Sequence, residues 1–134
     1  MKRLLILASI LLLNGCAIYD AVTMTKYDPN EYLLITEIKV DATDYVAQCD
    51  DAAKSRLNAM VLSHKTRMFS VYSDNLPSNG DGKKAAKALD EIAQGLKDRY
   101  NSGDKVSPIF CKLKFEGIEH SADVIQHVLG NRPR

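Results

Sequence analysis

The chain predicts an all-α fold, a small antiparallel bundle of about four helices, on three observations. Apolar residues recur at three- and four-residue intervals in four separate stretches, which is the signature of amphipathic helices. Two of those stretches open on a capping residue followed by proline, Asp28-Pro29 and Ser107-Pro108, the arrangement that suits a helix N-terminus. The connections are short, and short connections between helices favour antiparallel neighbours.

The first helix is expected to start at Asp28-Pro29-Asn30-Glu31, with Asp28 as cap and Glu31 reaching back as in a capping box. Its stripe is Ile35, Ile38, Ala42, Tyr45 and Cys49, ending near Gln48 to Asp50 or running on into the next helix. A second helix from about Asp51 carries Leu57, Val61, His64, Met68, Val71 or Tyr72, and Leu76, and this is expected to be its buried face. Leu76-Pro77-Ser78-Asn79-Gly80-Asp81-Gly82 reads as a loop. The third helix, about Lys83 to Tyr100, has Ala86, Leu89, Ala93, Leu96 and Tyr100 on one face and stops at Asn101-Ser102-Gly103-Asp104. The last helix has the cleanest pattern, Cys111, Phe115, Ile118, Ala122, Ile125 and Leu129, and Gly130 ends it. Residues 28–130 are thus the helical domain, and residues 131–134 a short tail.

The N-terminus is of a different kind. Lys2 and Arg3 precede a ten-residue apolar run, Leu4 to Leu13, as in a secretory signal peptide. Ten residues at about 1.5 Å each reach only about half of the ~30 Å hydrocarbon layer, so the run is not a membrane span. Leu13-Asn14-Gly15-Cys16 resembles the lipobox of bacterial lipoproteins. The resemblance implies cleavage between Gly15 and Cys16, acylation of Cys16, and stable attachment to a lipid bilayer through two or more acyl chains. Asn14 departs from the small or apolar residue usual there. Ala17 follows the cysteine where the inner-membrane retention signal of the family has aspartate, which in a Gram-negative host points to an outer-membrane lipoprotein facing the periplasm, with the inner membrane as the alternative. The expected order is therefore a signal peptide over 1–15, a lipidated tether over 16–27, and the bundle.

The whole chain has 18 basic and 17 acidic residues, and Lys2 and Arg3 leave with the signal. A nearly neutral mature protein offers no electrostatic case for nucleic acid. Of three cysteines, Cys16 is assigned to lipid. Cys49 and Cys111 are then expected to form a disulfide, because export exposes them to an oxidising compartment. An up-down-up-down bundle puts both at one end. There is no C-x-x-C spacing to suggest a redox site.

Candidate chemistry is sparse. Glu116, His120, Asp123 and His127 fall at i, i+4, i+7 and i+11 on the last helix. They could chelate a metal, or simply form the solvated face opposite the apolar stripe. His64 reads as a core histidine. Tyr19, Tyr27 and Tyr32, with Met24, fit packing near the tether or contact with the bilayer or a partner. Lys83, Lys84 and Lys87 open the third helix, where cations oppose the helix dipole, and form an exposed face or a basic contact surface. No catalytic motif is visible and no cofactor is expected.

Three stretches, Asp28 to Tyr32, Leu96 to Asn101, and Lys105 to Pro108 with Cys111-Lys112, are similar to stretches of uncharacterised small lipoproteins encoded by large marine tailed phages. That resemblance implies a phage origin for the gene and no particular activity. The expectation is a non-enzymatic, lipid-anchored envelope module that binds another envelope protein. Such a module could join an inner-membrane partner during lysis, as the lipoprotein subunit of a spanin pair does, or block a receptor against superinfection. The alternatives are a metal-dependent envelope hydrolase using the polar face of the last helix, and a structural or stress-response lipoprotein with no dedicated partner.

Overall fold

Four helices make up the described part of the computed structural model, residues 25–134, and no strand occurs among them. They are α1 (Pro29–Val46), α2 (Ala52–Asp74), α3 (Gly80–Asn101) and α4 (Pro108–Gly130). The expected signal peptide, the expected lipidation site Cys16, and Tyr19 and Met24 lie outside the described residues.

Local chemistry sets most of the helix ends. Asp28 caps α1 by accepting from the backbone N–H groups of Asn30 (2.9 Å) and Glu31 (2.8 Å), and Pro29 takes the first turn, where no N–H is needed. Asp51 does the same for α2 through Ala53 and Lys54, both at 3.0 Å. Ser107 caps α4 through Phe110 at 3.2 Å, followed by Pro108. Helices α1 and α2 are separate. Cys49 lies in the turn between them rather than on the α1 stripe. Helix α3 begins earlier than its sequence suggests. Gly80, Asp81 and Gly82 form its first turn, and Lys83 N–H already reaches the Asn79 carbonyl at 2.8 Å. Gly103, with φ +84°, takes the left-handed conformation just beyond α3, where glycine costs least.

The helices run up-down-up-down. α1 packs chiefly on α4 and α2 on α3, with lighter α1–α2 and α3–α4 contacts. The core contains Ile35, Ile38 and Ala42 from α1, Leu89, Ala93 and Leu96 from α3, and Phe115, Ile118, Ala122 and Leu129 from α4. The Tyr45 ring meets Phe115 edge-on at 5.6 Å. These three helices bury the stripes that their periodicity predicts.

Helix α2 does not. Its buried residues are Ser55, Ala59, Leu62, Ser63, Thr66, Phe69 and Ser73. The predicted stripe of Leu57, Val61, His64, Met68 and Val71 is turned outward, and His64 is exposed rather than in the core. The reason lies in α3. Ala59, Ser55 and Ser63 are small enough to let the two helices approach closely, while Leu62 and Phe69 supply the apolar volume. The polar atoms on this seam find partners. Thr66 Oγ1 donates to Asp90 at 3.0 Å, and Gln94 Nε2 donates to the Ser63 carbonyl and to Asp90 at 3.1 Å each. With its hydrogen bonds made, the seam avoids the cost that unpaired buried polar groups carry.

The two ends of the bundle are fastened differently. At one end Cys49 and Cys111 form a disulfide (S–S 1.99 Å, Cα–Cα 5.7 Å) that joins the α1–α2 turn to the start of α4. At the other end Glu31 is fully buried. It does not reach back to the cap as the capping-box pattern predicts. It accepts from Ser73 Oγ and Asn79 Nδ2, each at 2.8 Å, and pairs with Arg132 at 2.5 Å. Arg132 also donates to Asn79 Oδ1 at 2.8 Å. Residues 131–134 are therefore not a loose tail: Arg132 closes this network, and the Pro133 carbonyl accepts from Tyr27 N–H at 2.8 Å.

Candidate functional site: the outward face of the second helix

Because α2 spends its small and polar residues on α3, its large apolar residues are left facing solvent. Leu57 is 62% exposed, Val71 55%, Met68 46%, Met60 45% and Val61 44%. At about 100° per residue, Leu57, Val61, His64, Met68 and Val71 fall along one line, spaced four, three, four and three. That is the seam spacing by which one helix packs on another. Toward α1, this face becomes a groove of about 450 Å³ whose apolar floor includes Leu34, Leu57, Val61 and Met68, with His64 at its edge.

One rim of the groove is charged and ordered. Lys65 reaches back to α1 and pairs with Asp41 at 2.7 Å and Glu37 at 3.4 Å. The hydrogen bond from Lys65 to Asp41 holds its ammonium above the ordinary lysine pKa of 10.5, against the opposing effect of burial. The other rim, toward α3, carries Arg56, whose guanidinium donates to Asn101 at 3.3 Å, and Asp74, which pairs with Lys83. Fully burying one Leu, Val or Met side chain is worth about 1.5–3 kcal/mol. Five half-exposed ones in register give this face a substantial affinity for apolar surface. Single exposed apolar residues are ordinary, whereas a contiguous set marks a contact surface.

The polar quartet of α4 is arranged differently from a metal site. Glu116, His120, Asp123 and His127 are exposed on one side of the helix, but among the described residues no three His, Cys, Asp or Glu side chains are grouped to hold a metal ion. Asp123 is already taken by Lys39, whose Nζ lies 2.6 Å from its Oδ1. That hydrogen bond holds the Asp123 carboxyl below the ordinary aspartate value of 3.8 and raises Lys39 above 10.5. The three lysines at the start of α3 are also matched, Lys83 with Asp74, Lys84 with Asp81 at 3.6 Å and Lys87 with Glu91 at 4.0 Å. Tyr27 and Tyr32 pack on each other with ring centroids 5.7 Å apart, and Arg134 lies over the Tyr27 ring. No described helix is long and apolar enough to cross a membrane.

Sequence pattern alone places this candidate face in the core. The signal that separates the two faces is the second register, 55, 59, 62, 66, 69 and 73, which has the same spacing in smaller residues. Compared with protein-family models, curated proteins and solved structures, the chain matches none.

Proposed function

We propose that this is a lipid-anchored, non-enzymatic envelope lipoprotein whose bundle holds out α2 as a contact surface for another protein. The outward apolar face of α2, on a helix that buries serine and threonine instead, carries this reading. The Leu4 to Leu13 run and the Gly15-Cys16 pair support export and acylation. The Cys49–Cys111 bond fits an oxidising compartment. Either joining a second membrane during lysis or covering a receptor would use such a surface. A hydrolase built on Glu116, His120, Asp123 and His127 is not favoured, because Asp123 is committed to Lys39.

Intact mass of the detergent-extracted protein tests the anchor. The expected species lacks residues 1–15 and carries acyl chains on Cys16. A full-length, unacylated and soluble product would sink the reading. Photo-crosslinking from position 61 in the intact envelope tests the surface. Capture of a protein from Val61 but not from Val124 of α4 is expected, and equal background at both would remove α2 from consideration.

A further inference from the structure

Resting on the reading of α2 as a contact surface, we infer that its partner is a second copy of this chain, docked with the two α2 helices antiparallel and His64 at the two-fold axis. Four exposed apolar positions are symmetric about His64, although Val61 has the charged Arg67 as its counterpart. Leu57 and Val71 lie seven residues to either side, and Met60 and Met68 four to either side, all exposed and apolar. Reversing the helix about His64 therefore sets Leu57 against the partner's Val71 and Met60 near the partner's Met68. An isologous interface requires this self-complementarity.

The Arg56 and Asp74 charges agree with the same operation. Arg56 and Asp74 are on the same rim, since both bond to α3, one at each end of the stripe. A two-fold axis at right angles to the helices keeps that rim on one side. It brings Arg56 beside the partner's Asp74 and Asp74 beside the partner's Arg56, within about two residues, or ~3 Å along the axis. On the opposite rim, Lys65 near the axis pairs with both Asp41 and Glu37, so each copy brings one net negative charge there, a like-charge contact that works against the pairing and keeps it weak. Those same carboxylates argue against a bilayer as the occupant. A helix lying on an anionic lipid surface carries basic residues along its polar borders, whereas the α1 rim presents Glu37 and Asp41.

Leu57 to Val71 spans only about 21 Å of helix. A single helix pair of that length falls short of the roughly 1,200 Å² of a standard stable interface. Association is therefore weak for freely diffusing copies and is strengthened when both are confined to one surface.

The test uses the full chain in its native membranes and a short bismaleimide. With His64→Cys, a band at twice the monomer mass is expected, with the linked peptide containing position 64 from both copies. Leu57→Cys alone and Val71→Cys alone should stay monomeric, but co-expressed with different tags they should give a mixed 57–71 product. Adding Met68→Glu should abolish the 64–64 product, and Val124→Cys should give none. Absence of the 64–64 product, or 57–57 links in place of 57–71, would overturn the antiparallel dimer. A photo-crosslinker at position 60 separates the two readings. Capture of a different protein would refute self-association yet keep the contact surface, whereas capture of lipid alone would refute both.

Discussion

Arg132 is the third residue from the end of the sequence, yet its side chain is only 9% exposed and neutralises a buried carboxylate. Glu31 meets Arg132, Ser73 and Asn79 at once, so one residue from α1, one from α2, one from the α2–α3 loop and one beyond α4 depend on each other. Removing one partner of a buried pair leaves the other charge uncompensated, which costs about 3–5 kcal/mol. Arg132→Ala should therefore lower unfolding free energy by about that amount in urea titrations. The double variant Glu31→Leu/Arg132→Met should recover much of the loss. The same network explains a glycine. A Cβ on Gly82 would lie 2.1 Å from Asn79 Oδ1 and 2.7 Å from Arg132 Nη2, whereas one on Gly117 would meet nothing within 4 Å. Gly82→Ala should destabilise by about 1–3 kcal/mol through overpacking, and Gly117→Ala should stabilise by about 0.5–1 kcal/mol through helix propensity. Thermal melts of the two variants should move in opposite directions. None of this was legible in the sequence. Glu31 sits where a capping box expects it, and only the folded chain shows that Arg132, 101 positions away, claims its carboxylate.

Among the helices, α1, α3 and α4 could be read from their stripes because the most regular apolar face of each is the one that is buried, although α4 also exposes Ile109, Leu113, Val124 and Val128. Helix α2 carries two registers of equal spacing, and hydrophobicity chose the wrong one. What decided the outcome was steric fit to α3, with small residues buried on both helices (Ala59, Ser63 and Thr66 on α2, Ala86 and Ala93 on α3) and the Asp90 and Gln94 hydrogen bonds closing the seam. That property belongs to a pair of helices, so one helix's pattern does not reveal it. A pair of neighbouring substitutions tests the assignment. Phe69→Ala empties a fully buried site and should cost about 3–5 kcal/mol. Met68→Gln, one position away on the outward face, should stay within about 0.5 kcal/mol of the parent, as surface changes do. Equal losses at both positions would mean that α2 is rotated from the orientation described.

At the scale of the whole molecule, the covalent tie and the ionic network hold opposite ends of a bundle whose helices are up to about 35 Å long. The disulfide closes a loop with a sequence separation of 62 residues, and in the chain-entropy treatment such a loop contributes on the order of 4 kcal/mol. Reduction, or Cys49→Ser with Cys111→Ser, should lower the unfolding free energy by about that amount without changing helical content at low temperature, as circular dichroism would show. The pairing was legible from compartment and topology together, because an up-down-up-down chain brings the first turn and the start of the last helix to one end.

The bond from Tyr27 N–H to the Pro133 carbonyl puts the first described residues and the last ones side by side, and this has a mechanical consequence. A pull between the first and last described residues meets that bond, the Arg134 contact with Tyr27 and the Glu31–Arg132 pair in turn, and peels the ends apart one contact at a time. A pull between the N-terminal end and α2 is carried lengthwise through α1, whose far turn is bolted to α4 by the Cys49–Cys111 bond. The bundle is thus weak to unzipping and strong in shear, and its strong direction runs from the end where an anchor would attach toward the face that α2 exposes.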